Sequence, residues 1–157
     1  MANNLGRGGG EHLLQKMSNQ EMSYCLKNNL EEIPALAEAF ELFAETYKIP
    51  DRAVFQVNLS LDELLTNTIS YGFPEGGEHE IVIRIALQAV TLIIEVKDDG
   101  MAFNPLETSK VDIGQELEDR PVGGLGIHLA RKMMDEIEYN REENCNVLVM
   151  RKQIQDL

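Results

Sequence analysis

Two neighbouring runs of alternating apolar residues constrain the fold of this chain more than any other feature. The first run places an apolar side chain at every second position: Ile81, Ile83, Ile85 and Leu87. The second run does the same after a break near Ala89: Val90, Leu92, Ile94 and Val96. A period of two is typical of half-buried strands, and so short a break leaves room only for a tight turn. The sequence therefore predicts a β-hairpin with one buried face.

The rest of the chain supplies helices and further strands. Apolar residues at helical spacing predict helices over residues 30–47 and 51–71, the second starting at Asp51. A third helix is predicted over 123–134, and shorter patterns predict strands over 21–28, 136–140 and 147–152. This order implies an α+β two-layer sandwich, in which about three helices cover one face of a mixed, mostly antiparallel sheet.

The length and composition suit one folded unit. The chain has 157 residues, which is typical of a single domain. Residues 1–20 are rich in glycine and polar side chains and are expected to form a flexible arm, leaving 21–157 as the domain. The two cysteines, Cys25 and Cys145, are expected to be buried thiols in a reducing compartment. No stretch approaches the ~20 apolar residues that span a bilayer, so a cytoplasmic protein without a membrane partner is expected.

The charge of the chain narrows the classes of partner. Its 27 acidic and 14 basic residues give a net charge of -13. Such a surface repels phosphate backbones, so direct nucleic-acid binding is not expected. An acidic surface is compatible with a basic protein partner, and it also serves solubility.

The second predicted helix carries a polar stripe beside its apolar face. Glu63 and Asn67 lie one turn apart on this stripe. A carboxylate can accept a proton from a hydroxyl, and a carboxamide oxygen is a neutral ligand for magnesium. The pair is common on helices, so alone it indicates little.

The hairpin ends in an acidic turn. Asp98 has the same parity as the inward-facing residues of the second strand, which predicts a buried carboxylate. Burying a carboxylate is costly unless it is hydrogen-bonded, and the exocyclic amino group of adenine is a suitable donor. Gly100 allows the chain to turn sharply and to approach a flat base closely. An Asp-Asp-Gly turn also occurs for purely structural reasons.

Glycines cluster where the third helix is predicted to begin. Gly123, Gly124 and Gly126 surround Leu125 there. Unobstructed amides at a helix amino terminus favour anions, so the segment is suited to hold phosphates. It is not a Walker sequence, because no Gly-Lys-Ser/Thr follows, and no strand leads directly into it as in a dinucleotide fingerprint.

In order and spacing, the three motifs resemble the N, G1 and G2 boxes of the GHKL ATPases. The motifs are Glu63-Leu-Leu-Thr-Asn67, Asp98-Asp-Gly100 and Gly123-Gly-Leu-Gly126. The longer stretches 61–73, 98–105 and 119–127 are most similar to the serine/threonine kinases that act as bacterial anti-sigma factors. The resemblance covers about residues 21–152 and is specific as a set.

The resemblance implies a Bergerat-type ATP-binding fold, with ATP and Mg²⁺ as cofactors and 101–122 as the ATP lid. It implies that Glu63 is the general base, that Asn67 holds magnesium and phosphate, and that Asp98 reads adenine. It assigns further nucleotide contacts to Gly100, Phe103, Gly123, Gly124, Leu125 and Gly126.

The resemblance also supplies the expected partners. These are a sigma factor and an anti-anti-sigma protein of the STAS type, whose Ser or Thr would be phosphorylated, and a homodimer is compatible with it. One alternative is an ATP-binding module that clamps a partner without kinase activity. Another is the catalytic half of a split histidine kinase, although no long dimerisation helix with a phosphoacceptor His is present in the sequence. A pure interaction protein would leave the three ordered motifs unexplained.

Overall fold

Five strands and three helices make up the part of the chain that the structure describes. The computed structural model describes residues 20–107 and 124–155. The strands are β1 (Gln20–Lys27), β2 (Glu80–Gln88), β3 (Thr91–Asp98), β4 (Glu136–Glu142) and β5 (Cys145–Gln153). The helices are α1 (Ile33–Thr46), α2 (Asp51–Tyr71) and α3 (Gly124–Met133), with a short 3₁₀ turn (Leu30–Glu32) before α1. Nearly all of the predicted amino-terminal arm lies outside the described residues.

The strands form one sheet in the order β1-β2-β3-β5-β4. Every described pairing is antiparallel. The predicted hairpin is confirmed, since β2 pairs with β3 from Gln88↔Thr91 to Ile81↔Asp98. Val90 differs from the prediction because it lies in the turn, beside Ala89 with a φ of 54°, and is exposed. The inward alternation of β3 therefore begins at Leu92.

The helices cover one face of this sheet. Val57, Leu61 and Leu65 follow one another at four-residue spacing along α2 and are buried. They belong to a core that includes the fully buried Ile83 and Ile94 from the central strands. Burying each such side chain stabilises the fold by about 1.5–3 kcal/mol. The predicted α+β architecture, with helices on one face, is confirmed.

The cysteines correct one prediction. Successive strand residues point to opposite faces of a sheet, so Cys25 cannot share the core with its buried neighbour Leu26. Cys25 is exposed, and Cys145, at the start of β5, is partly exposed. The expectation of two buried thiols is therefore wrong.

None of the helices in the described ranges combines the length and the apolar character needed to span a bilayer.

Candidate functional site

A cavity of about 240 Å³ lies where the second half of α2 meets the end of β3 and the strands β4 and β5. Its walls are largely apolar and carry a few polar groups. The lining residues are Leu64, Asn67, Thr68, Tyr71, Gly72, Val96, Asp98, Met101, Phe103, Pro105, Ile127, Tyr139, Asn146 and Leu148. A concave, mainly apolar pocket with few convergent polar groups is typical of a small-molecule site.

Asp98 provides the buried charge of this cavity. Its inward parity is as predicted, and the residue is only 7% exposed. The Oδ1 atom accepts hydrogen bonds from the backbone N–H of Gly100 at 2.9 Å and from Nδ2 of Asn146 at 3.0 Å. Among the described residues no donor binds Oδ2. One carboxylate oxygen is therefore held by the protein, and within residues 20–107 and 124–155 the other is left as an acceptor.

Two opposing influences act on the Asp98 carboxyl. Burial raises its pKa above the usual range, because a charged group is poorly solvated there. The hydrogen bonds from Asn146 and Gly100, and the positive charge of Arg141, act in the opposite direction. The raised pKa shows that desolvation is the larger effect, and perturbed carboxyls of this kind occur often at functional sites.

Asn146 organises the polar side of the cavity. It lies directly opposite Asp98 in the β3–β5 register and is 9% exposed. Its Nδ2 donates to Asp98 and, at 2.9 Å, to the carbonyl of Met101. Its Oδ1 accepts from the Tyr139 hydroxyl at 2.6 Å and from the Phe103 N–H at 3.2 Å. Sequence reasoning missed this residue, although a polar side chain with the inward parity of Leu148 stands out in an apolar strand.

Gly100 and Phe103 lie on the segment that follows β3. A Cβ on Gly100 would stand 2.7 Å from the carbonyl oxygen of Gly72, at the end of α2. The N–H of Met101 donates to that same carbonyl at 2.8 Å. Only glycine fits so close to the backbone, so this packing within the protein dictates the residue at position 100. Phe103 lines the cavity, which places it in the same site as Asp98.

The α2 helix brings one of its two predicted functional residues to the cavity wall. Asn67 lines the cavity together with Asp98. Glu63 lies one turn earlier on the helix, is partly exposed, and does not line this cavity. The structure therefore joins Asn67 to the Asp98 site and places Glu63 on the adjoining turn.

The glycine-rich segment is described in part. Gly124 and Gly126 lie in the first turn of α3, and the following Ile127 is buried and lines the cavity. The amino terminus of α3 therefore adjoins the cavity, and a helix amino terminus is where anions are favoured. Gly123 and most of the predicted lid, 108–122, lie outside the described residues.

Comparison with known proteins identifies the family. The family model described as "Histidine kinase-like ATPase domain" matches residues 26–152. This range contains all the residues that line the cavity. The chain belongs to this family. The predicted membership of the GHKL ATPases is therefore confirmed.

Curated relatives of this family member are serine kinases. The serine-protein kinase RsbW of Bacillus mycoides is 33% identical over 135 residues, which cover 79% of this chain and 83% of the relative. RsbW of Listeria monocytogenes is 29% identical over 109 residues, covering 66% and 68%. The serine/threonine-protein kinase BtrW of Bordetella bronchiseptica is 29% identical over 101 residues, covering 63% and 70%. The predicted resemblance to anti-sigma serine kinases is confirmed at this level.

A solved structure supports the fold. The crystal structure of the RsbU and RsbW domains of a Mycobacterium tuberculosis protein matches with a TM-score of 0.62 and 10% identity. The match covers 87% of this chain and 33% of that longer chain. At this identity the likeness concerns the fold alone.

Proposed function

We propose that the protein is a serine/threonine protein kinase of the anti-sigma type. It binds ATP with Mg²⁺ in the Asp98 cavity and transfers the γ-phosphoryl group to a Ser or Thr of an anti-anti-sigma partner of the STAS type. It also sequesters a sigma factor, and it acts in the cytoplasm. Residues 21–157 form the catalytic domain. A homodimer is compatible with this role. Family membership and the names of the relatives support the reaction class.

The observation that carries the proposal is the buried, half-satisfied carboxylate of Asp98 in an apolar cavity. A carboxylate can only accept hydrogen bonds, and the 6-amino group of adenine donates them. Oδ2 of Asp98 has no donor among the described residues, so the residues present fit an aminopurine. The apolar side chains of Leu64, Val96 and Leu148 would pack against the ring.

The remaining roles follow from position along the elements around the cavity. The carboxamide of Asn67 would hold the Mg²⁺ that accompanies the phosphates, since oxygen ligands suit this ion. Magnesium supplies charge neutralisation and orientation of the phosphoryl group when bound. Glu63, one turn before Asn67, would accept the proton of the substrate hydroxyl. The amides of residues 123–126 would hold phosphate oxygens at the start of α3.

The test combines binding with transfer. Calorimetry with ATP, with and without Mg²⁺, should show binding that magnesium strengthens. Labelled γ-phosphate should pass to a candidate anti-anti-sigma protein and not to a version whose acceptor Ser is replaced by Ala. Absence of ATP binding would overturn the proposal. Binding without transfer to any candidate would support instead the module that clamps a partner without kinase activity.

Replacing Asn67, the predicted magnesium ligand, should affect ATP binding as well as phosphoryl transfer. Asn67→Ala should weaken Mg²⁺-dependent ATP binding as well as transfer, because a residue that would hold the Mg²⁺ accompanying the phosphates would contribute to binding as well as to turnover. A variant that binds Mg-ATP as wild type does would remove Asn67 from the metal site.

A further inference from the structure

We infer that Asn146 is a positioning residue that sets the base specificity of the proposed nucleotide site, because it holds Oδ1 of Asp98 and leaves Oδ2 as the acceptor for an amino group. The inference rests on the proposed function and adds to it a residue outside the three sequence motifs. Asn146 acts through Asp98 and needs no contact of its own with the base.

The orientation of the Asn146 amide is fixed by its four partners. The carbonyl of Met101 can only accept, and the N–H of Phe103 can only donate. The nitrogen of the amide must therefore face Met101, and its oxygen must face Phe103. The same orientation aims Nδ2 at Asp98 and lets Oδ1 accept from the Tyr139 hydroxyl. A flipped amide would set acceptor against acceptor and donor against donor, so the donor to Asp98 is permanent.

The strand register explains why this contact forms. Asp98 and Asn146 are directly opposite in the β3–β5 pair and both point to the helix-covered face. Opposite residues in antiparallel strands have Cβ atoms only about 4.5–5.5 Å apart, so short polar side chains can meet. Tyr139 on β4 is opposite Leu148 and diagonal to Asn146, which brings its hydroxyl to the amide. The sheet therefore brings the two side chains together, and the backbone of Met101 and Phe103 sets the orientation of the amide.

A permanent donor at Oδ1 has a consequence for base selection. A charged carboxylate accepts from the 6-amino group of adenine and repels the 6-oxo group of hypoxanthine or guanine. A protonated carboxyl could donate to a 6-oxo group, and burial at position 98 favours that neutral form. The hydrogen bonds from Asn146 and Gly100 favour the charged form. Removing the Asn146 donor should therefore relax the preference for an aminopurine.

The same amide connects the segment after β3 to the Asp98 carboxylate. Met101 and Phe103 both line the cavity, and both are bound to Asn146 through their backbone. The wall that faces a bound base and the carboxylate that reads it are thus held by one side chain.

The experiment compares binding of ATP and of inosine triphosphate to the full chain by calorimetry. Wild type should prefer ATP by at least about tenfold, the effect of a hydrogen bond to a charged group. Asn146→Asp keeps the size and the acceptor oxygen but removes the donor to Asp98 and adds a like charge. Its preference for ATP should fall by about tenfold. The matched control is Asn140→Asp, on the outer face of β4 and bonded to Glu142, which should leave the preference within about twofold of wild type.

A second variant, Asn146→Ala, tests the inference if Asn146→Asp does not fold. Asn146→Ala removes the donor without adding charge, and a water molecule could replace part of the lost contact. Its preference should fall in the same direction by a smaller factor. Equal loss of affinity for both nucleotides in these variants would overturn the inference, since a merely structural residue would act in that way. If wild type binds neither nucleotide, the proposed function fails and the inference falls with it.

Discussion

Two concavities in the described part of the chain can be compared, and the larger of the two has fewer features of a binding site. A groove of about 580 Å³ runs between α1 and α2, and its rim carries Glu41, Asp51 and Asp62. These carboxylates are exposed and make no hydrogen bond or ion pair with another described residue. The cavity at Asp98 has less than half that volume, yet its carboxylate is buried and held by two donors. Water screens the groove charges, so desolvation and an organised polar network favour the smaller cavity at Asp98 as the candidate site.

The comparison is sharpest within α2, because this helix borders both concavities. Asp62 lines the groove and Glu63, the next residue, lies one turn before Asn67 of the cavity. Successive helical residues point in directions about 100° apart, so two adjacent carboxylates serve different surfaces. Glu63→Ala should keep ATP binding and slow phosphoryl transfer by about 10²- to 10⁴-fold, the usual effect of removing a general base. Initial rates of labelled-phosphate transfer measure this.

The matched control is Asp62→Ala, which removes the neighbouring carboxylate from the groove side. Transfer should stay within about twofold of wild type, because no described contact connects Asp62 to the cavity. Similar slowing by both variants, or full transfer by the Glu63 variant, would refute the assignment of Glu63 as base.

The carboxylates of the two concavities should also differ in nucleotide binding. Asp98→Asn should weaken ATP binding by about 10- to 100-fold, because a charged hydrogen-bond partner is lost. It should also erode discrimination against GTP, since an amide can turn a donor towards a 6-oxo group. Glu41→Gln, on the groove rim, should leave both affinities unchanged within about twofold. Calorimetric titration checks the pair, and an unchanged ATP affinity in Asp98→Asn would remove the adenine-reading role.

How much of this site could be predicted from the sequence depends on how close in sequence the residues behind each feature lie. The hairpin and the inward direction of Asp98 could be predicted because the apolar alternation of β2 and β3 sets them locally. The helix from Asp51 to Tyr71 likewise followed from spacing within one segment, and the family was predicted from the resemblance of three short motifs. Each of these features depends on residues that are close in sequence.

Three features of the structure were not predicted from the sequence, and the first of them depends on strand register. Asn146 is 48 residues from its partner Asp98, and only the β3–β5 pairing brings them together. The closing strand was predicted to begin at 147, which left Asn146 outside it. The close packing of Gly100 against the Gly72 carbonyl at the end of α2 was not predicted, because it joins two separate elements. Cys25 was assigned to the core because residue type was considered without the two-residue period of its strand.

The buried carboxylate should reduce the stability of the nucleotide-free protein. Burial raises the pKa of Asp98 in the folded state, so folding disfavours its ionised form. This cost is present above the raised pKa and disappears below the unfolded-state value of about 3.9. Asp98→Asn should therefore increase the free energy of unfolding at neutral pH, by up to about 2 kcal/mol. The gain should shrink as the pH falls through the raised pKa towards about 4.

Urea unfolding of wild type and variant at neutral pH and at about pH 4 measures this difference. Glu41→Gln serves as the control at an exposed carboxylate, and its effect should stay within about 0.5 kcal/mol at both pH values. A stabilisation of Asp98→Asn that is equal at the two pH values would show that ionisation is not its cause.

The smallest effect is expected at Phe55, an exposed aromatic side chain in the lining of the groove. Phe55 is 63% exposed and lines the groove, whereas Leu64, on the same helix, is buried and lines the cavity. Phe55→Ser removes little buried apolar area, so the free energy of unfolding should change by no more than about 0.5 kcal/mol and ATP affinity by no more than about twofold. Leu64→Ala, by contrast, empties part of the core and should cost about 2–5 kcal/mol. Thermal unfolding with and without ATP separates the two, because ligand stabilisation should persist in Phe55→Ser. Loss of that stabilisation in the groove variant would mean that the two concavities are coupled through α2, and the distinction drawn between them would no longer hold.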